Sequence, residues 1–243
     1  MTTVLKIGGS VITRKDRPET IDQAALDRAT DAVAEISEPL VLVHGAGSFG
    51  HHHADKHDVS TTEGTSDSAA IRAIHGSMKR LNDVVLASLS DAEVSAVPVH
   101  PLSAASRTAD GSLRLGTDTV AAMLDESLVP VLHGDVLVHE GRGATIISGD
   151  ELVTVVARAL SADRVGVCSS APGVYDANGE PLDRVKAFED VADAVGASDA
   201  TDVTGGMAGK VRQLLSLDAP AHVFDLDGLS TFVSGGSPGT RIE

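Results

Sequence analysis

Short apolar runs that end at glycines are the feature of this chain that most restricts its fold. The apolar run at residues 4–7 ends at a glycine pair, and the run at residues 40–43 leads into the glycine-rich stretch HGAGSFG. Between them, apolar residues recur at helical spacing over residues 21–36, after Thr20 as the expected N-cap. Strand, glycine turn, helix and strand in this order predict a parallel α/β sheet.

The same alternation continues to the end of the chain, apart from a polar loop that we expect at residues 55–67. Since no repeat or linker interrupts it, we expect one α/β domain over residues 1–243. The expected helices lie at residues 69–90, 117–128, 150–160 and 207–217. The expected strands lie at residues 94–99, 129–132, 136–139, 145–147, 164–169 and 222–226, with a hairpin tip at residues 140–143.

The charge of the chain excludes some classes of partner. The formal net charge is −16, and only six of the 19 basic residues are lysines, which argues against nucleic acids and anionic membranes as partners. Such an acidic surface suits a halophilic protein in a high-salt cytoplasm, where screening relieves the self-repulsion. Cys168 is the only cysteine and no apolar run reaches about 18 residues, so we expect a cytoplasmic protein without an intramolecular disulfide.

Residues 44–57, HGAGSFGHHHADKH, leave three kinds of ligand open. Gly45, Gly47 and Gly50 have the G-x-G-x-x-G spacing of a dinucleotide site, but no second strand follows before Glu63, which weakens that interpretation. Five histidines suggest a metal, and only His53 and His57 have i, i+4 spacing, without a cluster of further ligands. We therefore expect no dedicated metal site.

Phosphate is the third ligand, and the glycine turns favour it. Backbone N–H groups of such turns bind anions, and in parallel sheets the turns after the strands meet at one edge. Lysines are scarce, yet several stand beside these turns. The turns are Gly8-Gly9-Ser10, Gly45-Ala46-Gly47 and Gly205-Gly206, and the lysines beside them are Lys6, Lys15 and Lys210. The sequence therefore predicts one polyphosphate site.

Five motifs together resemble the amino acid kinase superfamily, and within it they look most like the isopentenyl phosphate kinases. They are KIGGS from Lys6, HGAGSFGH from His44, HGD from His133, ISGDE from Ile147 and DVTGGMAGK from Asp202. The resemblance implies an α/β/α sandwich of three layers around a mainly parallel open sheet. It also implies an acceptor lobe up to about residue 160, an ATP lobe over about residues 161–243, and a homodimer.

The implied reaction transfers a phosphoryl group from ATP, with Mg²⁺, to isopentenyl phosphate in isoprenoid biosynthesis. The phosphate acceptor needs no general base, because its second pKa is about 6. Related kinases acting on fosfomycin, uridylate, carbamate or acetylglutamate, and a non-catalytic nucleotide-sensing module, are the alternatives.

The resemblance also implies roles for individual residues. The catalytic set is Lys6, Lys15, His51, Asp150 and Lys210. The implied ATP-binding residues are Lys6, Gly8, Gly9, Ser10, Gly47, Ser170, Gly206 and Lys210. The implied substrate-binding residues are Ala46, His51 and Gly149. The isoprenoid tail needs an apolar slot, and the helix at residues 69–90 offers Ile74 and Met78 with the small Gly76 among them, although such a stripe can equally belong to the ordinary core. One departure is that Ser169–Gly173 stands where the family has a TDVDG-like turn.

Overall fold

The computed structural model describes residues 1–192 and 206–243. The strands are β1 (Thr3–Ile7), β2 (Leu40–His44), β3 (Ala96–Val99), β4 (Ala105–Arg107), β5 (Leu113–Leu115), β6 (Val129–His133), β7 (Asp135–His139), β8 (Gly143–Ile147), β9 (Arg164–Cys168), β10 (Arg184–Val185), β11 (Ala221–Phe224) and β12 (Thr240–Ile242). The helices are α1 (Gly9–Ile12), α2 (Gln23–Ala34), α3 (Gly47–Lys56), α4 (Ser68–Asp91), α5 (Pro101–Ala104), α6 (Thr117–Asp125), α7 (Gly149–Ala159), α8 (Gly206–Leu215) and α9 (Leu229–Val233), with a 3₁₀ turn at Phe188–Asp190.

The main sheet is parallel over most of its width. Its order within the described residues is β10-β12-β11-β9-β1-β2-β6-β3, and β12 runs antiparallel to its neighbour β11. A smaller sheet has the order β5-β4-β7-β8 and carries the expected hairpin between β7 and β8. The predicted α/β class with a mainly parallel sheet is therefore confirmed.

Alternate residues of the central strands pack against two helical layers. In β1, Val4 contacts one hydrophobic cluster and Leu5 contacts the other, as the two-residue period of a strand requires. The first cluster includes residues of α7 and α8, and the second includes residues of α2 and α4. Because both faces are covered, the strands are continuous apolar runs, and the architecture is an α/β/α sandwich.

Some local predictions were wrong. Asp22, not Thr20, caps α2, since its side chain accepts a hydrogen bond from Ala25 N. The histidine-rich stretch after Gly47 forms α3, which extends into the predicted polar loop because Phe49 and Ala54 are buried against the core. The short strands β4, β5, β10 and β12 were not predicted. Within residues 1–192 and 206–243, no helix has the length and apolar character needed to cross a bilayer.

Candidate active site

The turns after β1 and β2 pack backbone against backbone. A Cβ atom on Gly9 would lie 2.1 Å from Gly47 N, and one on Gly45 would lie 2.5 Å from Gly9 N. Gly47 also has φ of +50°, a conformation that L side chains rarely adopt. Thr13 connects the two turns by hydrogen bonds, since its hydroxyl donates to Gly9 O at 2.7 Å and accepts from Ser48 N at 2.9 Å.

A third turn brings the start of α7 to the same place. A Cβ atom on Gly134, which follows β6, would lie 3.7 Å from both Ala46 N and Gly149 N. Gly149 is the first residue of α7, so the positive end of that helix faces the turns. A Cβ atom on Gly149 would lie 3.0 Å from Lys6 Cε. The close approaches at Gly9 and Gly45 explain why these positions are glycine, whereas the neighbours of Gly134 lie at ordinary van der Waals distance.

Two lysines from distant parts of the chain share one carboxylate. Lys6, buried in β1, places Nζ 2.7 Å from Oδ1 of Asp150. Burial alone would raise the pKa of Asp150, but the charges of Lys6 and Lys210 outweigh it and lower that pKa below its usual range. Asp150 is therefore an anion that holds two ammonium groups at the start of α7.

Apart from Gly76, the catalytic, ATP-binding and substrate-binding residues predicted from the sequence line one cleft of about 810 Å³. They are Lys6, Gly8, Gly9, Ser10, Lys15, Ala46, Gly47, His51, Ile74, Met78, Gly149, Asp150, Ser170, Gly206 and Lys210. Lys15 is exposed at the cleft, whereas Lys56, Lys79 and Lys186 are exposed and do not line it. Gly205, the other glycine of the third predicted turn, lies outside the described residues.

The three consecutive histidines of α3 have different surroundings. His51 and His52 line the cleft. His53 turns away, and its Nε2 lies 2.8 Å from Oε1 of Glu19. His51, which is partly buried, and His52, which is exposed, are therefore the two histidines of α3 within reach of a ligand in the cleft, whereas His53 contacts the loop that carries Glu19.

Glu19 connects the loop between α1 and α2 to helices α3 and α4. Its carboxylate accepts hydrogen bonds from Ser77 Oγ at 2.8 Å, from His53 and from Arg80. Burial raises its pKa, but these hydrogen bonds and the charge of Arg80 outweigh that effect and lower the pKa to about 2. Since the same loop contains Lys15, this contact fixes one wall of the cleft.

One end of the cleft is apolar. Ile74 and Met78 of α4 line it with Val59 and Ile146. Gly50 lets α4 approach α3, because a Cβ atom there would lie 2.8 Å from the Met78 sulfur. The expectation that Gly76 lies beside this space was wrong: a Cβ atom on Gly76 would meet only Arg80, at 3.8 Å.

The loop that departs from the family pattern also reaches the cleft. Ser169, Ser170 and Ala171 line it. The Ser169 hydroxyl forms a compact turn, accepting from Ala171 N at 3.2 Å and donating to Ala171 O at 3.0 Å. The exposed Ser170 is therefore the serine of this loop whose hydroxyl group is not used in the turn.

Sequence reasoning missed a role for Gly134 and Asp135, which line the cleft. The signal was present, because a glycine follows a histidine at the end of both β2 and β6. Within the described ranges, no group of three or more His, Cys, Asp or Glu side chains is arranged to hold a metal ion. The cleft is lined by glycine turns and lysines as well as by apolar side chains, which suits a phosphate with a hydrocarbon tail.

Comparisons with known proteins agree with this geometry. A sequence model of the amino acid kinase family matches residues 1–218. The chain is 61% identical over 241 residues to isopentenyl phosphate kinase of Haloferax volcanii, covering 98% of this chain and 97% of that protein. It is 34% identical to the enzyme of the same name from Methanothermobacter thermautotrophicus, covering 88% and 86%. A crystal structure of isopentenyl phosphate kinase superimposes with a TM-score of 0.86 at 27% identity, over 100% of both chains.

Proposed function

Because the chain belongs to the amino acid kinase family, we propose that it transfers the γ-phosphoryl group of ATP to isopentenyl phosphate, giving isopentenyl diphosphate and ADP. The observation that carries the proposal is a single cleft that is lined both by the cationic Lys6 and Lys210 and by the apolar Ile74 and Met78. The relatives named isopentenyl phosphate kinase support this choice of acceptor, which belongs to isoprenoid biosynthesis.

Phosphoryl transfer requires the protein to supply positive charge and to align the two substrates. At neutral pH the acceptor oxygen is already an anion, because the second pKa of a phosphate monoester is about 6, so no general base is needed. Two polyanions must nevertheless approach in line, and phosphoryl transfer leaves the protein little covalent work. The new P–O bond forms to the acceptor oxygen as the bond to the β-phosphate oxygen breaks, and ADP leaves.

The described residues divide this work between them. Lys6 and Lys210 offset the charge of the transferring phosphoryl group, and Asp150 orients both lysines. The amides of Gly9 and Gly47 lie where two turns meet, ready for the ATP phosphates. His51 donates to the acceptor phosphate, and Lys15 adds charge at the cleft wall.

The two substrates occupy two sides of the cleft in this proposal. His51, Ile74, Met78 and Gly149, which line the acceptor side, precede residue 160. Ser170, Gly206 and Lys210, which line the ATP side, follow it. Since the main sheet is continuous across both parts, the lobes are two ends of one sandwich.

Three further properties belong to the proposal. Mg²⁺ enters with ATP as part of the substrate, because Mg²⁺ keeps most of its waters and binds mainly through phosphate oxygens. The net charge of −16 supports a protein adapted to a salt-rich cytoplasm. We also propose a homodimer, on the ground that the chain resembles the family.

One panel of acceptors tests the function. ADP release is measured with ATP and Mg²⁺ and with isopentenyl phosphate, fosfomycin, uridylate, carbamate or acetylglutamate, at both low and molar KCl. We expect the highest kcat/KM with isopentenyl phosphate, and higher activity at molar KCl. A preference for another acceptor, or no ADP release with any of them, would overturn the assignment. Equal activity and stability at both salt concentrations would remove the halophilic part of it.

A further inference from the structure

Two buried histidines have equivalent positions in the sheet and no part in the reaction as proposed above. β2 and β6 are parallel neighbours, and His44 at the end of β2 is in register with His133 at the end of β6. A glycine that lines the cleft, Gly45 or Gly134, follows each of them. Both histidines have no exposed surface, and their rings stack with centroids 5.4 Å apart.

Each ring is hydrogen-bonded to the carbonyl group of the glycine that follows it. Nδ1 of His44 lies 3.1 Å from Gly45 O, and Nδ1 of His133 lies 2.9 Å from Gly134 O. A carbonyl oxygen only accepts, so each ring carries a hydrogen on Nδ1. Burial lowers the pKa of both imidazoles, for His133 to about 3, so the rings are neutral at pH 7 and Nε2 is an acceptor.

The neighbours of Nε2 fit this protonation. Nε2 of His133 lies 2.9 Å from Nδ1 of His100, which then donates. Nε2 of His44 lies 3.0 Å from the amide oxygen of Asn82, whose amide nitrogen is buried and has no hydrogen-bond partner among the described residues. Turning this amide over places its N–H on Nε2 of His44, which gives both groups a partner.

The ring of His44 fixes the direction of the peptide between Gly45 and Ala46. In a trans peptide the C=O and N–H groups point in opposite directions, so a carbonyl held by the ring turns the N–H of Ala46 away from it. Neither Ala46 N nor Gly149 N has a hydrogen-bond partner within residues 1–192 and 206–243, and both lie 3.7 Å from the Cβ position of Gly134. Two open amides therefore face one point in the cleft.

This direction is not guaranteed by the backbone alone. Rotating the peptide between Gly45 and Ala46 changes ψ of Gly45, which glycine tolerates, and φ of Ala46, which is −75° and would become positive. The Cβ atom of Ala46 makes the rotated form unfavourable without excluding it. In the rotated form the oxygen of Gly45 would face the cleft and repel an incoming phosphate. The hydrogen bond from the His44 ring further stabilises the form that attracts an anion. The ring of His133 holds the carbonyl of Gly134 in the same way, where the chain enters β7.

We propose that His44 and His133 are positioning residues for the acceptor phosphate: each holds a glycine carbonyl out of the cleft, so that backbone N–H groups, that of Ala46 above all, face the anion. This inference rests on the proposed function for the identity of the phosphate ester. It applies equally to inorganic phosphate, which makes it separable from that function.

Substitutions of His44 provide the kinetic test. Asparagine has an N–H near the position of Nδ1, whereas leucine has none. We expect His44→Leu to raise the acceptor KM and the inhibition constant of inorganic phosphate by about tenfold or more, the worth of one hydrogen bond to a charged group. The KM for ATP stays within about twofold in both variants, and His44→Asn restores most of the lost affinity.

His139→Leu is the matched control. His139 is also buried, with Nδ1 3.2 Å from Thr145 Oγ1, and it does not line the cleft. We expect it to lower the melting temperature without changing phosphate affinity. If His44→Leu changes phosphate affinity no more than His139→Leu does, or if His44→Asn is as impaired as His44→Leu, the positioning role is overturned.

A measurement on the unaltered protein covers the case in which the variants do not fold. Long-range ¹⁵N–¹H NMR spectra distinguish imidazoles that carry hydrogen on Nδ1 from those that carry it on Nε2. We expect His44 and His133 to be neutral Nδ1–H rings, and hydrogen on Nε2 alone in either would overturn the inference. The NMR and inorganic phosphate measurements stand even if isopentenyl phosphate is not the acceptor, so the two proposals fail separately.

Discussion

Nζ of Lys6 lies 2.7 Å from Oδ1 of Asp150, joining the first strand of the sheet to the first turn of α7. Since Lys210 also acts on this carboxylate, residues far apart in the sequence contribute charge to one point. The pair is mostly buried, with 8% and 18% of the two side chains exposed, so screening by solvent is weak. Without a bound anion, Asp150 is the counter-ion that keeps two ammonium groups together.

Removing Lys6 is expected to abolish most of the activity. Lys6→Ala takes away a positive charge aimed at the transferring phosphoryl group, and such a loss costs about 3 kcal/mol of transition-state stabilisation, or about a hundredfold in kcat. ADP release under saturating substrates measures it. Lys79→Ala, which removes an exposed lysine outside the cleft, is the control and is expected to leave kcat unchanged. Equal kcat in the two variants would contradict the role of Lys6.

Comparing alanine substitutions at Gly47 and Gly141 separates the effect of a strained backbone from the effect of a steric clash between the two turns. Gly47→Ala places a side chain at φ of +50° and 2.2 Å from Thr13 Oγ1, whereas Gly141→Ala has φ of +79° with no atom within 4 Å. Strain alone costs about 1–2 kcal/mol, so we expect both variants to lose stability in urea titrations. Only Gly47→Ala should raise the KM for ATP, because only there must two turns of the cleft move apart. Similar KM values for ATP in both variants would contradict this contact.

The sequence predicted most of the sheet because its strands are buried on both faces. Runs such as Val4–Ile7 and Leu40–Val43 are recognisable without tertiary information, and the glycines after them mark the edge where ligands bind. The convergence of scarce lysines on that edge followed from the same topology. The cleft residues could therefore be chosen before their distances were known.

Other features depend on contacts that no local pattern encodes. α3 forms through a histidine-rich stretch because burial of Phe49 and Ala54 offsets its weak helix propensity. Gly76, by contrast, could have been placed from the sequence. It lies two residues from both Ile74 and Met78, a rotation of about 200° on a helix, so it faces away from them. The short strands β10 and β12 are defined by their pairing, with each other and, for β12, with β11, rather than by composition.

Enlarging the apolar end of the cleft is expected to broaden the choice of acceptor. Ile74→Ala opens space beside Met78, so longer prenyl phosphates should gain in kcat/KM relative to isopentenyl phosphate. Both Ile74→Ala and the control Leu81→Ala create cavities that cost about 2–5 kcal/mol of stability, because both side chains are buried in α4. Leu81 does not line the cleft.

A change of selectivity confined to Ile74→Ala, measured with acceptors of increasing chain length, supports the apolar end as the tail site. The same change in Leu81→Ala would mean that loosened packing of α4 is responsible. Unchanged selectivity in both variants would remove Ile74 from the tail site.

Glu19 is expected to make stability depend on pH below neutrality. Its pKa is about 2 in the folded protein against 4.5 for an ordinary glutamate, since the hydrogen bonds from Ser77, His53 and Arg80 outweigh burial. A folded-state pKa below the unfolded one adds stability that is fully present above about pH 4.5 and is lost as the pH falls toward 2. Glu19→Gln should therefore lower the melting temperature most at pH 6, by less near pH 3, and hardly at all below about pH 2.

The control is Glu126→Gln, which changes an exposed carboxylate after α6. We expect its melting temperature to follow that of the unaltered protein at both pH values. Because Glu19 also holds the loop that carries Lys15, Glu19→Gln should raise KM for the acceptor at pH 7 as well. A difference in melting temperature that is the same at pH 3 and pH 6 would show that the carboxylate charge of Glu19 does not stabilise this loop.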